Sequence, residues 1–467
     1  MALLYVDHPV ASVAPVTVAD QHRVKAHRRR VDAWQVLAVV TVFIPLAMYL
    51  SQGATTMFST PGDAVYALGV TAGLIGTQLC LLMLLLAARV PAIERVFGQD
   101  RSISLHSKLG KPVFYLLIAH GVLLMVGAAM QSGVNVVVTT LDFLSDSNYL
   151  LATIGLALFA VVAITSFVAV KRTLQFEVWH AIHLLSYIAV GLALPHQFVT
   201  GGVFGTGWAL GYWAALYVIT ALCLLWFRFT LPVARSLRHV LRVSRVERLG
   251  PDVVSVYVTG RQLQRLAAEG GQYLHWRFWT PSIWWQSHPY SLSAAPVNNE
   301  LRITVRGTGA GSAALLNMQP GTRVGIAGPY GRFTAASRTK PRVALLGAGM
   351  GIAPIRAVMD ELQPMPGRLT VILRSHDAEQ TWLLNEITAQ AERLGGRVIV
   401  LAGPRANGDW RSAEAVRQGF SLGNLVPAIA ETDFYVCGPA AWTDAVGRDA
   451  RAYGATNEQI HAERFNW

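Results

Sequence analysis

Six apolar segments between residues 33 and 228 constrain this chain more than any other feature. They run 33–50, 64–88, 112–130, 149–170, 178–199 and 208–227. Each is close to the ~20 residues that an α-helix needs to cross ~30 Å of hydrocarbon. The basic residues around them alternate. Arg23, Lys25, Arg28, Arg29 and Arg30 precede the first segment, and Arg89, Arg95, Arg101, Lys108 and Lys111 separate the second from the third. Lys171 and Arg172 separate the fourth from the fifth, whereas 51–63, 131–148 and 200–207 hold no Lys or Arg. Short loops rich in Lys and Arg stay in the cytoplasm. The pattern predicts a multi-pass protein of the inner (plasma) membrane, with six spans and both termini cytoplasmic. It also accounts for the net charge of +12 by topology and contact with membrane lipid, so no nucleic-acid partner is expected. The charged fraction of 14% is well under the ~25% of soluble domains.

Histidines stand inside this apolar region: His106, His120, His180, His183 and His196. An ionisable residue within a span is costly and marks a functional position by default, although one histidine alone can be a neutral ring bonded to a carbonyl. Depth separates the two readings. His106 and His120 are about 21 Å apart along a helix, and His183 and His196 about 19.5 Å. The third and fifth spans run in the same direction. His106 therefore lies level with His183, and His120 with His196. Two imidazoles at one depth on two helices can hold one haem by both axial positions. Such an iron has no open site, which suits electron transfer. Rise favours His183 over its rival His180. A 13-residue spacing does not return to the same helix face, but Pro195 precedes His196, and an interior proline kinks a helix. Pro112 likewise interrupts the third span.

Beyond the last span the pattern changes. Residues 231–336 contain short β-branched runs such as VVSVYV (253–258) and LRITVRG (301–307), separated by Gly and Pro, which reads as a small antiparallel β-barrel. Residues 337–467 alternate strand and helix: RVALLGAG, then APIRAVMDEL, then LTVILRS, with RVIVLAG and FYVCGP as further strands. That is a parallel α/β sheet. The expected order is a basic cytoplasmic segment (1–32), a membrane all-α six-helix domain (33–230), the barrel, and the α/β domain. Residues 1–32 hold neither a secretory signal, since the run RVKAHRRR follows MALLYVDHPV instead of preceding an apolar core, nor an EF-hand pattern. The three cysteines form no CxxC, so neither a disulfide framework nor a thiolate metal site is expected.

Three Gly-containing motifs lie in the C-terminal half. SHPYSLSAAP (287–296) follows an aromatic-rich segment. VRGTGAGSAALL (305–316) opens a helix with small residues, so the backbone N–H groups of Gly311 and Ser312 can meet an anion, and Arg306 can add charge. GAGMGIAPI (347–355) sits at a strand-to-helix junction, where Gly347, Gly349 and Gly351 let backbone approach a pyrophosphate and Pro354 lies just inside the helix. Arg374 ends the next strand, and a cation there suits the 2′-phosphate of NADPH, with NADH as the alternative.

HPYSLS resembles the FAD-binding motif of ferredoxin-reductase-like flavoproteins. Its His-Pro opening, with GPYGRF (328–333), GAGMGIAP and VCGP (436–439) in order behind six spans, resembles the ferric reductase and NADPH oxidase superfamily. The resemblance implies an FAD barrel and an NAD(P)H-binding α/β domain. It places FAD at His288, Pro289, Tyr290, Ser291 and Ser293, with Tyr290 along the flavin and ribityl chain and Ser291 near flavin N5. Soluble members carry arginine where His288 stands. It sets Cys437, Gly438 and Pro439 beside the nicotinamide, and makes Phe465 the aromatic that covers the flavin, with Trp467 the alternative. The implied activity is NADPH oxidase or ferric reductase chemistry. Electrons pass from cytosolic NADPH through FAD and two b-type haems (heme b), held by His106/His183 and His120/His196. The acceptor outside is oxygen, giving superoxide, or a ferric chelate. The outer stretches lack Lys and Arg, so a quinone or a dedicated protein partner remains the alternative.

Overall fold

The computed structural model describes residues 18–51, 57–167, 170, 173–200, 202, 207–363 and 365–465. Lys171, Arg172 and Trp467 fall outside them. The chain divides into a helical unit, Arg29–Arg228, and a second unit formed by Phe229–Trp467 with the N-terminal residues up to Arg28.

In the helical unit the long elements are α1 (Val18–Ser51), α2 (Pro61–Ala87), the short α3 (Pro91–Phe97) and α4 (Gln99–Ser132). They are followed by α5 (Val136–Ser145), α6 (Ser147–Ser166), α7 (Phe176–Leu192) and α8 (Gly207–Cys223). Six segments are long and apolar enough to span a membrane: Arg29–Ser51, Pro61–Ala87, Arg101–Ser132, Ser147–Ser166, Glu177–Val199 and Gly207–His239. Many of their large apolar side chains face outward, as lipid requires. Helix α2 begins at a capping box made by Thr60 and Asp63, with Pro61 in its first turn. It packs on α4 through glycines. A Cβ on Gly69 would lie 2.9 Å from the Leu124 amide nitrogen, and one on Gly127 would lie 2.6 Å from that of Tyr66. Gly69 and Gly73 form the small-xxx-small spacing that lets membrane helices approach closely.

Two details depart from the sequence reading. Helix α4 runs unbroken through Pro112, so His106 and His120 share one helix. The stretch 131–148, read as a loop, contains α5, started by the Asn135 side chain, which accepts from the Val137 N–H at 2.8 Å. Its run VVVTTLDFL is apolar enough to lie along a hydrophobic surface, and Val137 and Leu141 are exposed.

The C-terminal unit begins with α9 (Leu231–His239). A six-stranded antiparallel sheet follows, ordered β4-β3-β6-β1-β2-β5. Its strands are β1 (Leu241–Arg248), β2 (Val253–Thr259), β3 (Tyr273–Phe278), β4 (His288–Ser291), β5 (Glu300–Arg306) and β6 (Arg323–Tyr330). The sheet closes over a core that includes Leu274, Trp276, Leu292 and Ile303. Short α10 (Ala310–Leu315) leaves it after β5. The second sheet is parallel, ordered β11-β10-β7-β8-β9. It comprises β7 (Arg342–Ala348), β8 (Leu369–Arg374), β9 (Arg397–Leu401), β10 (Thr432–Pro439) and β11 (Ile460–Phe465). Helices α11 (Ile352–Glu361), α12 (Leu384–Leu394) and α13 (Ala440–Ala452) accompany it. Strands β7 and β8 are buried along their whole length, as parallel strands covered on both faces must be, while the edge strands β9 and β11 are only partly buried. The two sheets are joined by a charged network. Arg302 of β5 donates to both oxygens of Glu386 on α12, at 3.1 and 3.0 Å, and Arg356 of α11 donates to the same carboxylate at 2.7 Å.

Candidate cofactor sites

Within the helical unit four histidines form two pairs. The rings of His106 and His183 are 6.0 Å apart between centroids, and those of His120 and His196 are 6.4 Å apart. His180 stands beside Trp179, while Trp179 stacks on His183 at 5.0 Å. The α4 histidines are fixed from behind. His106 Nδ1–H donates to the Met83 carbonyl and His120 Nδ1–H to the Gly69 carbonyl, both at 2.9 Å. With the proton on Nδ1, each Nε2 keeps its lone pair for a metal. On the facing element, α7 ends at Leu192, and His196 opens a π-helical turn, His196–Thr200, directly after Pro195. The α-helix is already interrupted between the two histidines, at Ala193, so the 13-residue spacing is not measured along one regular helix. Such π-helical turns occur at functional sites. His183 Nδ1 lies 3.4 Å from Ser166 Oγ.

These residues fit haem iron. Two imidazoles each about 2 Å from one metal put their ring centres roughly 6 Å apart, which is what both pairs show. The His120 and His196 pair also borders a cavity of about 790 Å³, walled mostly by apolar side chains such as Leu117, Leu156 and Phe159. A Cβ on Gly73 would sit 2.4 Å from His120 Nδ1, so only glycine leaves that ring its place.

In the antiparallel sheet, the residues of HPYS form β4. Tyr290 is buried, which pushes its phenol up from the ordinary value, and its ring stacks on His288 at 5.8 Å. His288 reaches Gly311, where a Cβ would meet the imidazole at 2.3 Å. The motif and the small-residue loop therefore converge. Pro289 is exposed beside them. The Ser312 hydroxyl closes the first turn of α10, accepting from the Gly309 N–H and donating to its carbonyl. Ser293 is fully buried, and its hydroxyl accepts from Arg302 at 3.0 Å and from Thr304 at 2.8 Å.

In the parallel sheet, Gly349 adopts φ +55° in the turn between β7 and α11, a conformation that glycine enters without strain. A Cβ on Gly351 would lie 2.0 Å from the Cys437 carbonyl oxygen, so this glycine lets the turn seat against β10. Gly347 closes on Ile352, Gly438 on Trp442, and Pro354 is buried in the first turn of α11. A pocket of about 240 Å³ opens here, lined by Gly349, Pro439 and three arginines, Arg306, Arg374 and Arg405. Clustered guanidinium groups suit phosphate. Arg374 is buried, donating to the carbonyls of Ser375, Leu401 (3.2 Å) and Gly403 (2.6 Å). Burial, with Arg405 alongside, lowers its pKa from the ordinary value. Arg306 pairs with Asp252 at 2.6 Å and lines this pocket as well. Arg405, His376 and Trp382 are among the lining residues and carry no motif that would have singled them out.

The two sheets of this unit meet near the C-terminus. Cys437 of β10, fully buried, is opposite Glu463 of β11, and Pro439 is opposite Phe465. Ser291 Oγ donates to Glu463 Oε2 at 3.3 Å. Glu463 was missed at the sequence level. Its signal was its place two residues before Phe465, hence on the same face of a strand.

Comparisons with known proteins follow these divisions. A family model described as the ferric reductase like transmembrane component matches residues 72–194, one for an FAD-binding domain matches 239–334, and one for an oxidoreductase NAD-binding domain matches 345–447. Among curated relatives, a flavohemoprotein of Vibrio cholerae is 31% identical over 189 residues, covering 38% of this chain and 45% of that protein. A flavohemoprotein of Xylella fastidiosa is 27% identical over 211 residues, covering 42% and 51%. The chain thus spans about half the length of the curated relatives it matches. Among solved structures, the FAD/NAD-binding domain of nitric oxide dioxygenase from Vibrio cholerae is similar at 23% identity and TM-score 0.40, covering 49% of this chain and 99% of that one.

Proposed function

The chain belongs to the ferric reductase and NADPH oxidase superfamily, and from that premise we propose that it moves electrons from cytosolic NADPH across the membrane to an acceptor on the far side. It is a multi-pass, NAD(P)H- and FAD-dependent oxidoreductase. The finer reading places FAD in the domain 231–336, NADPH in 337–467, two b-type haems in 33–230, and both termini in the cytoplasm. When bound, the nicotinamide supplies a hydride, the flavin exchanges pairs for single electrons, and the haems accept one electron each.

The observation that supports this reading best is the pair of level imidazole couples, 6.0 and 6.4 Å between ring centroids. His106 and His183 hold the inner haem, and His120 and His196 the outer one. The Met83 and Gly69 carbonyls orient the two α4 rings. Tyr290 and Ser291 position the flavin. Gly349 and Gly351 admit the nucleotide pyrophosphate, and Arg374 and Arg405 favour a 2′-phosphate. Cys437, Gly438 and Phe465 border the nicotinamide. No side-chain acid or base is required for the transfer itself.

A dithionite-reduced spectrum of the purified protein, with haem quantified per chain, tests the reading: about two haems are expected. No Soret band after reconstitution with haemin refutes it. For the acceptor, the leading reading is oxygen or a ferric chelate, tested by NADPH-driven cytochrome c reduction that superoxide dismutase suppresses, and by ferric-chelate reduction. The absence of Lys and Arg from 51–63, 131–148 and 200–207 favours a second reading, an electron-donor subunit for a quinone or a protein partner. Turnover only after quinone or partner is added selects it.

A further inference from the structure

Among the described residues from 231 to 465, nine large apolar side chains are exposed, and six of them belong to two short segments. Val233, Leu237 and Val240 lie on or just after α9. Trp279, Trp284 and Trp285 lie in the loop between β3 and β4. The two segments converge on one residue of β6. A Cβ on Gly325 would stand 3.4 Å from Trp279 Nε1 and 3.6 Å from Ser236 Oγ. Both attachments are firm. Ser236 Oγ accepts from the Ile326 N–H at 3.0 Å, and the Trp279 N–H donates to the Arg323 carbonyl at 3.0 Å. Ile283, inside the loop, is buried in the barrel core. The tryptophans are thus held outward by a folded loop, with Leu237 73% exposed and Trp279 53% exposed.

Charge and position identify the occupant. Residues 229–246 and 271–299 contain no Asp or Glu, while Arg238 and Arg323 are exposed beside the apolar side chains. Helix α9 is also the C-terminal end of the last candidate span, Gly207–His239. Tryptophan is enriched at the membrane–water interface, and basic side chains beside it are drawn to anionic head groups. We propose that α9 and the 279–285 loop form one lipid-docking face, which seats the FAD-binding domain on anionic phospholipid of the leaflet where the last span emerges. A water-facing tryptophan loop has no such reason to share a strand with a membrane-continuous helix.

The test uses the full-length protein in nanodiscs of phosphatidylcholine and phosphatidylglycerol whose acyl chains carry bromine near the glycerol end. A W279F/W284F/W285F variant, with FAD content as the folding control, isolates the emission of the three tryptophans by difference. That emission is expected to be quenched by the brominated lipid and protected from aqueous iodide. Quenching by iodide alone overturns the proposal and marks the face as open to water or to another protein. A second measurement needs only the unaltered chain. Amide hydrogen exchange of residues 279–286 should be at least several-fold slower in discs containing phosphatidylglycerol than in discs of phosphatidylcholine alone, and equal exchange overturns the proposal. Neither readout depends on haem content or turnover.

Discussion

The candidate sites of the helical unit and of the C-terminal unit are built by opposite means. Among the helices, side chains reach inward: four imidazoles, each fixed by its depth along a helix. In the two sheets, side chains withdraw. Gly311, Gly349 and Gly351 sit where a Cβ would strike a neighbour or where φ is positive. The difference follows from the solvent. Lipid offers no partner to a polar ligand, so a membrane site must bring its own bond-forming groups. In the C-terminal unit an anionic cofactor can be held by backbone N–H groups once side chains are out of the way.

The sharpest way to break this comparison is His120→Ala. Haem should fall from about two to about one per chain, and transmembrane electron flow should cease while NADPH still reduces a soluble dye. Unchanged haem content refutes the pairing. Two glycine variants then test the contrast directly. Gly73→Ala pushes a methyl into the His120 ring, and Gly351→Ala pushes one into the Cys437 carbonyl; each overpacking costs about 1–3 kcal/mol. The first should lower haem content and leave dye reduction intact. The second should do the reverse, read by haem absorbance and NADPH-dependent dye reduction on the same samples. Arg405→Ala should raise KM for NADPH roughly 10-fold, about 1.4 kcal/mol, and leave KM for NADH unchanged. Equal loss with both nucleotides rejects a 2′-phosphate contact.

The smallest effect concerns the joint between the two sheets. Burial pushes the Glu386 carboxyl up, but hydrogen bonds and charge from Arg302, then Arg356, outweigh it and leave it below the ordinary value. A carboxylate depressed in this way stabilises the fold above its unfolded pKa, and that contribution is lost as pH falls through the folded one. The melting temperature of the wild-type C-terminal unit should therefore decline below about pH 4.5 more steeply than that of Glu386→Gln. Melting would be followed by flavin fluorescence.

Legibility in the sequence differed between the units for the same reason. Histidine in an apolar run is conspicuous, and a fixed rise per residue turns spacing into depth, so the level pairs could be read before any coordinates. The π-helical turn at His196 could not, because Pro195 announces a disruption but not its geometry. Helix α5 escaped because an apolar run of ten residues is too short to read as a span. In the sheets the glycine motifs were visible, but their surroundings depend on contacts between distant strands. Glu463 meets Ser291 only because β11 joins the edge of the parallel sheet. Arg405 joins Arg374 in lining a pocket that no local pattern encodes. Ser293, adjacent to a motif in sequence, turned out to bond Arg302 and Thr304 within the core.

Helix α2 contributes no imidazole, yet its Gly69 and Met83 carbonyls receive the hydrogen bonds from both α4 histidines. A carbonyl belongs to the main chain, so exchanging the amino acid that bears it does not delete it. The two acceptors are therefore not deleted by exchanging the side chains of Gly69 or Met83, and substitution along that helix reaches them only by displacing a ring, as a methyl on Gly73 would, or the helix itself. Evolution or engineering can shift them chiefly by sliding or rotating α2 as a rigid rod.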